Sequence, residues 1–217
     1  MNIEIWSDVV CPWCYIGKRR LESALKRFPH RDEVEILWRS FELDADAPRN
    51  FDGTADERIA KKYGMSLAQA ATSHERVTTL AAKEGLEYHF EYSQYGNTFD
   101  AHRLIHFAKT KGLQGEMKER LMKAYFTEGE AISDIDTLVK LAVELGMNSD
   151  EVRAVLEGDS YASEVRADEE LAIKFGIQGV PFFVINRKYG ISGAQPVEAF
   201  LETLERAREE SAATSAS

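Results

Sequence analysis

Residues 7–17 read Ser7-Asp8-Val9-Val10-Cys11-Pro12-Trp13-Cys14-Tyr15-Ile16-Gly17. Just before this stretch, Ile3, Ile5 and Trp6 read as a short strand that ends at Ser7-Asp8. Just after it, Leu21, Ala24, Leu25 and Phe28 recur at helical spacing and make one apolar face. Lys18, Arg19, Arg20, Lys26 and Arg27 fall mostly on the other face, and Pro29 ends the helix. Both cysteines of the chain sit at this strand-to-helix junction. Pro12 suits a first helical position, which puts Cys11 near the N-cap and Cys14 about one turn inside. The unpaired N–H groups and dipole of a helix start favour a thiolate on Cys11, and the thiolate is the form that attacks. Cys14, on the same helix face, can attack a mixed disulfide on Cys11 and release the partner. The loop such a pair closes is too small to staple a fold, so the spacing points to chemistry.

Outward from the junction, Val34 to Phe41 reads as a second strand, followed by a polar loop containing Pro48 and Gly53. From Asp56 to Gly176 every periodic signal is helical. Leu67, Ala70, His74, Val77 and Ala81 follow a Ser66 cap, and Ala101, Leu104, Ile105 and Ala108 follow Asn97-Thr98. Met117, Leu121 and Tyr125 line a further helix. Leu138, Leu141, Ala142 and Leu145 run from Asp134 or Asp136 to Gly146. Val152, Val155 and Leu156 follow Asn148-Ser149, and Val165, Leu171, Ala172 and Phe175 precede Gly176, a suitable helix-ending glycine. Strand signals return at Val180–Ile185, and Asn186-Arg187-Lys188 turns the chain into a hairpin with Tyr189–Ser192. Pro196, Val197, Phe200, Leu201 and Leu204 mark a closing helix. The order is β–α–β, a long helical block, then β–β–α. If the outer pieces share one sheet, residues 1–50 and 177–208 form one α/β domain, and 55–176 form an inserted helical subdomain. Residues 209–217 have little to bury and read as a disordered tail.

The chain has 217 residues, 44 % hydrophobic and 29 % charged, with a net charge of −10. That is a soluble globular composition able to bury a core, and its charge would repel a phosphate backbone, which argues against nucleic acid as a partner. No basic and apolar leader pattern precedes the first strand, and no apolar run is long enough for a membrane span. The chain is therefore expected to be cytoplasmic. Two cysteines three apart do not make the disulfide framework of a secreted fold.

One alternative for the cysteines is zinc, with His102 and His106 one turn apart on a helix completing a Cys₂His₂ set. Against it, the two halves lie far apart in sequence and the cysteine pair opens a long helix instead of a knuckle turn. The histidines then read as packing or solvated surface, and no metal is expected.

The string from Ser7 to Gly17 resembles the DsbA family, and within it the FrnE-like branch. So do Gly179-Val180-Pro181-Phe182-Phe183, Ser192-Gly193-Ala194-Gln195 and Asn97-Thr98-Phe99-Asp100-Ala101-His102-Arg103. The resemblance runs in order along almost the whole chain. It implies a thioredoxin fold interrupted by an all-helical insertion, and a cis Val180–Pro181 bond facing the cysteines. In that setting Val180 can offer its backbone to an extended substrate segment, and Trp13 either gives a flat apolar surface beside the sulfurs or packs against the insertion. Asp8 is expected to cap the turn rather than tune Cys11, and Asn97 and His102 to line the cleft under the insertion.

The function expected is a dithiol–disulfide oxidoreductase with Cys11 and Cys14 as catalytic sulfurs, and Trp13, Val180 and Pro181 as substrate-binding residues. It needs no cofactor beyond its own redox pair. Its partners are protein or small-molecule thiols and disulfides, with glutathione a candidate co-substrate and a homodimer permitted. The runner-up is a glutathione-dependent enzyme like the 2-hydroxychromene-2-carboxylate isomerases and kappa-class glutathione transferases. Those generally carry serine where this chain has Cys11, and lack the second cysteine. A non-catalytic peptide-binding or chaperone module is the third reading.

Overall fold

A computed structural model describes residues 1–215 of the chain. Its one sheet has the strand order β2-β1-β3-β4, with β1 Asn2–Ser7, β2 Glu35–Ser40, β3 Phe182–Ile185 and β4 Tyr189–Ser192. β1 and β2 are parallel and joined by helix α1, Pro12–Arg27, whereas β3 pairs antiparallel with both β1 and β4. Asn186 and Arg187 take positive φ in the three-residue β3–β4 connection, a left-handed pair whose twist suits a tight hairpin. The two outer pieces of the sequence thus meet in one α/β sheet.

Between β2 and β3 run seven helices: α2 Ala55–Tyr63, α3 Leu67–Lys83, α4 Phe99–Thr110, α5 Gln114–Phe126, α6 Ile135–Glu144, α7 Ser149–Glu157 and α8 Ala162–Lys174. The caps read from sequence are made at Ser66, Asp134 and Asn148, whose side chains accept backbone N–H groups of the first turn. Strand alternation divides the core. Ile3, Ile5, Phe183 and Ile185 face the side covered by α1, while Trp6 and Val184 pack on the other side with Ala172 of α8 and Ile177. The helical block also guards the edge strand β2: the Gln114 side chain exchanges two hydrogen bonds with the Trp38 backbone, at 3.1 and 3.0 Å.

Two expectations change. Lys18, assigned to the solvated face of α1, is buried, because Glu22 and Glu119 meet its ammonium there. The closing helix α9 runs Val197–Ser215, so the backbone stays helical past Glu209, where the sequence suggested a tail. Its contacts explain the extension: Lys188 pairs with Glu210, and Asn186 Nδ2 donates to Ser211 Oγ at 3.3 Å. Residues 216 and 217 of the expected tail lie outside the described residues.

Candidate active site

The turn after β1 is closed by the Cys11 N–H donating to the Asp8 carbonyl at 3.4 Å. Cys11 is the N-cap residue of α1, with extended φ −91° and ψ 112°, and Pro12 opens the helix. No side chain caps this helix end. Asp8, expected to cap the turn, turns its carboxylate inward instead, where it accepts the Leu43 N–H at 2.8 Å and lies 3.2 Å from His102 Nε2. The positive end of α1 is therefore left to the sulfur of Cys11.

Both thiols are free and buried, Cys11 at 3 % exposure and Cys14 at 1 %. Cys11 Sγ donates to the Val180 carbonyl at 3.6 Å, and the Val180–Pro181 peptide bond is cis. Pro181 is tied in turn by the Gly193 N–H, which donates to its carbonyl at 2.8 Å. Among the described residues the Val180 N–H has no internal partner. The close approach of α1 to this strand depends on Gly17: a Cβ there would stand 3.0 Å from Pro181 Cγ and 3.2 Å from Phe183 Cζ. Gly17→Val is accordingly expected to overpack the contact and cost about 1–3 kcal/mol. A urea unfolding midpoint unchanged in that variant would refute this packing role.

Below the thiols lies a buried charge cluster. Burial, then the hydrogen bond to Cys11 and the charge on that sulfur, hold the Cys14 thiol well above its ordinary pKa. Lys118 of α5, 1 % exposed, donates to the Ser7 carbonyl at 2.9 Å and stands 5.8 Å from the centre of the Trp38 ring. Burial pulls its ammonium down to about 8, against the opposing pull of Cys14, Asp8 and Cys11. Burial would raise the Asp8 carboxyl, but the hydrogen bonds from His102 and Leu43 and the Lys118 charge outweigh it, and Asp8 stays ionised. Burial keeps His102 neutral. An anion and a cation thus face the two thiols from beneath with little water between.

Above Cys11 opens a cavity of about 360 Å³. Val10, Cys11, Trp13 and Val180 line it from the sheet side, and α2, α3 and Tyr95 cover it from the helical block. Trp13 is 38 % exposed at its rim. Tyr88 closes the gap between the two parts: its hydroxyl donates to the Pro12 carbonyl at 2.7 Å, and its ring stacks on Phe126 at 4.5 Å.

The fold therefore brings Cys11, Cys14, Trp13, Val180 and Pro181 together. It does not bring Asn97, whose side chain donates to the Ala45 and Ala47 carbonyls and accepts the Phe99 N–H, tethering a loop instead of lining the cleft. His102 lies under the site against Asp8 and is absent from the cavity wall. His106 meets Asp168 at 3.1 Å and Ser40 at 3.1 Å, which locks α4 to α8 and β2. Among the described residues no group of three or more His, Cys, Asp or Glu side chains is arranged to hold a metal ion, and no helix is long and apolar enough to cross a membrane. Sequence reading missed Lys118, Tyr88 and the two cations of α2, Arg58 and Lys62. The one available signal was an ammonium at position 118 directly after the apolar Met117.

Comparison with known proteins agrees with this arrangement. A family model described as a DSBA-like thioredoxin domain matches residues 2–205. The uncharacterized protein YwbO of Bacillus subtilis is 32 % identical over 187 residues, which are 85 % of this chain and 86 % of that protein. The crystal structure of a probable DsbA oxidoreductase from Streptomyces coelicolor is 46 % identical, with a TM-score of 0.93 over 97 % of this chain and 91 % of that one. The cytosolic disulfide reductase DsbM of Pseudomonas aeruginosa, solved with GSH, has the same fold at 19 % identity, with a TM-score of 0.66 over 95 % of this chain and 100 % of that one. The thioredoxin fold with helices set between its strands is thus shown, and the chain belongs to the DSBA-like thioredoxin domain family.

Proposed function

We propose that this protein is a cytoplasmic dithiol–disulfide oxidoreductase of the FrnE-like branch, acting on protein or small-molecule disulfides through Cys11 and Cys14. The observation that carries the reading is the unequal placement of the two sulfurs. Cys11 stands at an uncapped helix start and lines the cavity. Cys14 lies behind it, hydrogen-bonded to it and held protonated by burial.

In the first step the Cys11 thiolate attacks one sulfur of the partner's disulfide. One half leaves as a thiolate and the other stays bonded to Cys11. Cys14 then gives up its proton, attacks the Cys11 sulfur and expels the second half. From the Cys11 thiolate and the Cys14 thiol the pair loses two electrons and one proton, and the partner becomes two thiols by taking up that proton and one from solvent. Lys118 and Asp8 set the field in which Cys14 must ionise. Val180 supplies the docking edge, because its free N–H faces no internal acceptor and an extended segment can pair with it. Trp13 supplies the apolar rim, and Pro181 fixes Val180 over the sulfur. No cofactor enters, and glutathione, which DsbM holds in its structure, is the co-substrate we favour for returning the pair to its starting state.

Cys14→Ser is the direct test. With Cys11 free to attack and nothing to resolve the product, the variant is expected to accumulate a stable mixed disulfide on Cys11, seen as a mass increase that a reductant reverses. If instead the variant keeps full glutathione-dependent turnover, a single-sulfur glutathione enzyme is the better description.

A further inference from the structure

The chain is acidic, with 37 Asp and Glu against 27 Lys and Arg, but the cavity over Cys11 has the opposite character. Its charged lining consists of Arg58 and Lys62, with His74 beside them, and no carboxylate of the described residues lines it. Arg58 and Lys62 are one turn apart on α2 and share a face. Most cations near the redox helix are already neutralised: Lys18 and Arg19 by Glu22 and Glu119, Arg20 by Glu84. Arg58 and Lys62 enter no ion pair among the described residues. The Arg58 guanidinium lies 3.8 Å from the centre of the Tyr95 ring, and its buried Nε has no hydrogen-bond partner. Lys62 Nζ donates to the Leu43 carbonyl at 3.3 Å and stands 6.0 Å from the centre of the Tyr63 ring, so its contacts among the described residues are uncharged. Asp44, whose carboxylate meets the Tyr95 hydroxyl at 3.5 Å, is not part of the wall. The carboxylates of this region lie instead along the groove on the other side of His74, where Asp56 holds the imidazole at 2.5 Å beside Glu75 and Glu91.

A guanidinium with an unfilled buried N–H, stacked on an aromatic ring and without a counter-ion, is a ready receptor for a carboxylate. We propose that the cavity over Cys11 selects small disulfides that carry a carboxylate, with Arg58 and Lys62 as the residues that read the charge. At about 360 Å³ the cavity holds a small molecule and not a folded segment. The proposal rests on Cys11 being the attacking sulfur. Attack by Cys11 breaks the S–S bond of the substrate. One half departs as a thiolate, and the other is bonded to Cys11 with its carboxylate held at α2. Cys14 then expels it, so the protein is oxidised by two electrons as the disulfide is reduced to two thiols. The half-reaction needs no further reductant when the protein is supplied in its dithiol form.

The experiment compares three disulfides with pre-reduced protein: oxidised glutathione (anionic), cystamine (cationic) and bis-hydroxyethyl disulfide (neutral). The readout is the rate at which protein thiols are lost. Oxidised glutathione is expected to react about tenfold or more faster than cystamine at low ionic strength, a charge preference that added salt compresses. Arg58→Met with Lys62→Met should collapse that ratio toward one, whereas Arg58→Lys, which keeps the charge, should retain most of it. A wild-type ratio near one, or a ratio that the double variant leaves intact, overturns the charge-reading proposal while the thiol chemistry stands. Failure of all three disulfides to oxidise the protein overturns both.

Discussion

Cys11→Ser is expected to abolish disulfide exchange, lowering the rate with any of these disulfides by at least about a thousandfold. A serine hydroxyl at the same helix start cannot form the S–S bond on which the reaction proceeds. Cys14 cannot take over, because it is 1 % exposed, lies outside the cavity wall and is kept protonated by burial. The substitution is nearly isosteric at a site that packs against the Val180 carbonyl, and serine can make the same donation, so the fold should survive. The measurement is insulin reduction and thiol-loss kinetics on the variant, with peptide binding followed in parallel. Loss of exchange with binding retained is the expected outcome. Exchange that persists in the variant would falsify the assignment of Cys11, and a phenotype indifferent to both cysteines would favour a chaperone module.

Lys118→Met carries the second large effect, and it has two readouts. The first is kinetic. Lys118 is a cation that favours ionisation of Cys14, and without it the resolving step should slow by about a hundredfold, in the range of a lost acid–base partner. The mixed disulfide on Cys11 would then become visible in wild-type-like substrate concentrations, a signature that a merely structural change would not produce. The second readout is stability against pH. The folded-state pKa of Lys118, about 8, lies below its ordinary 10.5, so between those values the unfolded chain binds more protons and stability rises with pH. That contribution amounts to about 3 kcal/mol across the window. Cys14 acts the opposite way above its ordinary 9.0, since the folded protein keeps a proton that the unfolded chain loses. Subtracting the Lys118→Met profile from the wild-type one removes what the two share. A flat difference between about pH 8 and 10 would show that the amine titrates normally.

Much of this arrangement is legible in the chain itself. Pro12 and the apolar spacing of Leu21, Ala24, Leu25 and Phe28 set the start and face of α1, and Ser66, Asp134 and Asn148 announce three further helices by their cap chemistry. Those are local signals, decided within a few residues. Lys118 was not legible for the opposite reason. A lysine on an amphipathic helix ordinarily reads as solvated, and it is buried here because α5 crosses beneath Ser7 and Trp38, residues some eighty or more positions away. Lys18 was misread in the same way, since Glu119 reaches it from α5. Asp8 looked like a cap because caps are local, and its partners, Leu43 and His102, come from elsewhere in the chain. Arg58 and Tyr88 gain meaning only when the helical block folds down over Cys11, and Asn97, read as a cleft residue, is used up in securing a loop.

The sheet order also sets a timetable for synthesis. β1 precedes β2 by a single α-helix and can find it soon after, but its other edge waits for β3, which leaves the ribosome only after the seven further helices α2–α8 have emerged. Throughout that interval Cys11 and Cys14 are present without Val180, Pro181 or the arginine and lysine of α2 settled over them. Closure of the sheet depends on contacts of long sequence separation, the kind that forms late and slowly. On the proposed mechanism, the nascent chain therefore passes through a period in which Cys11, the sulfur assigned as nucleophile, has no docking edge beside it. On that reading selectivity comes only with the last strands, and a reducing environment during translation would protect the chain from its own chemistry.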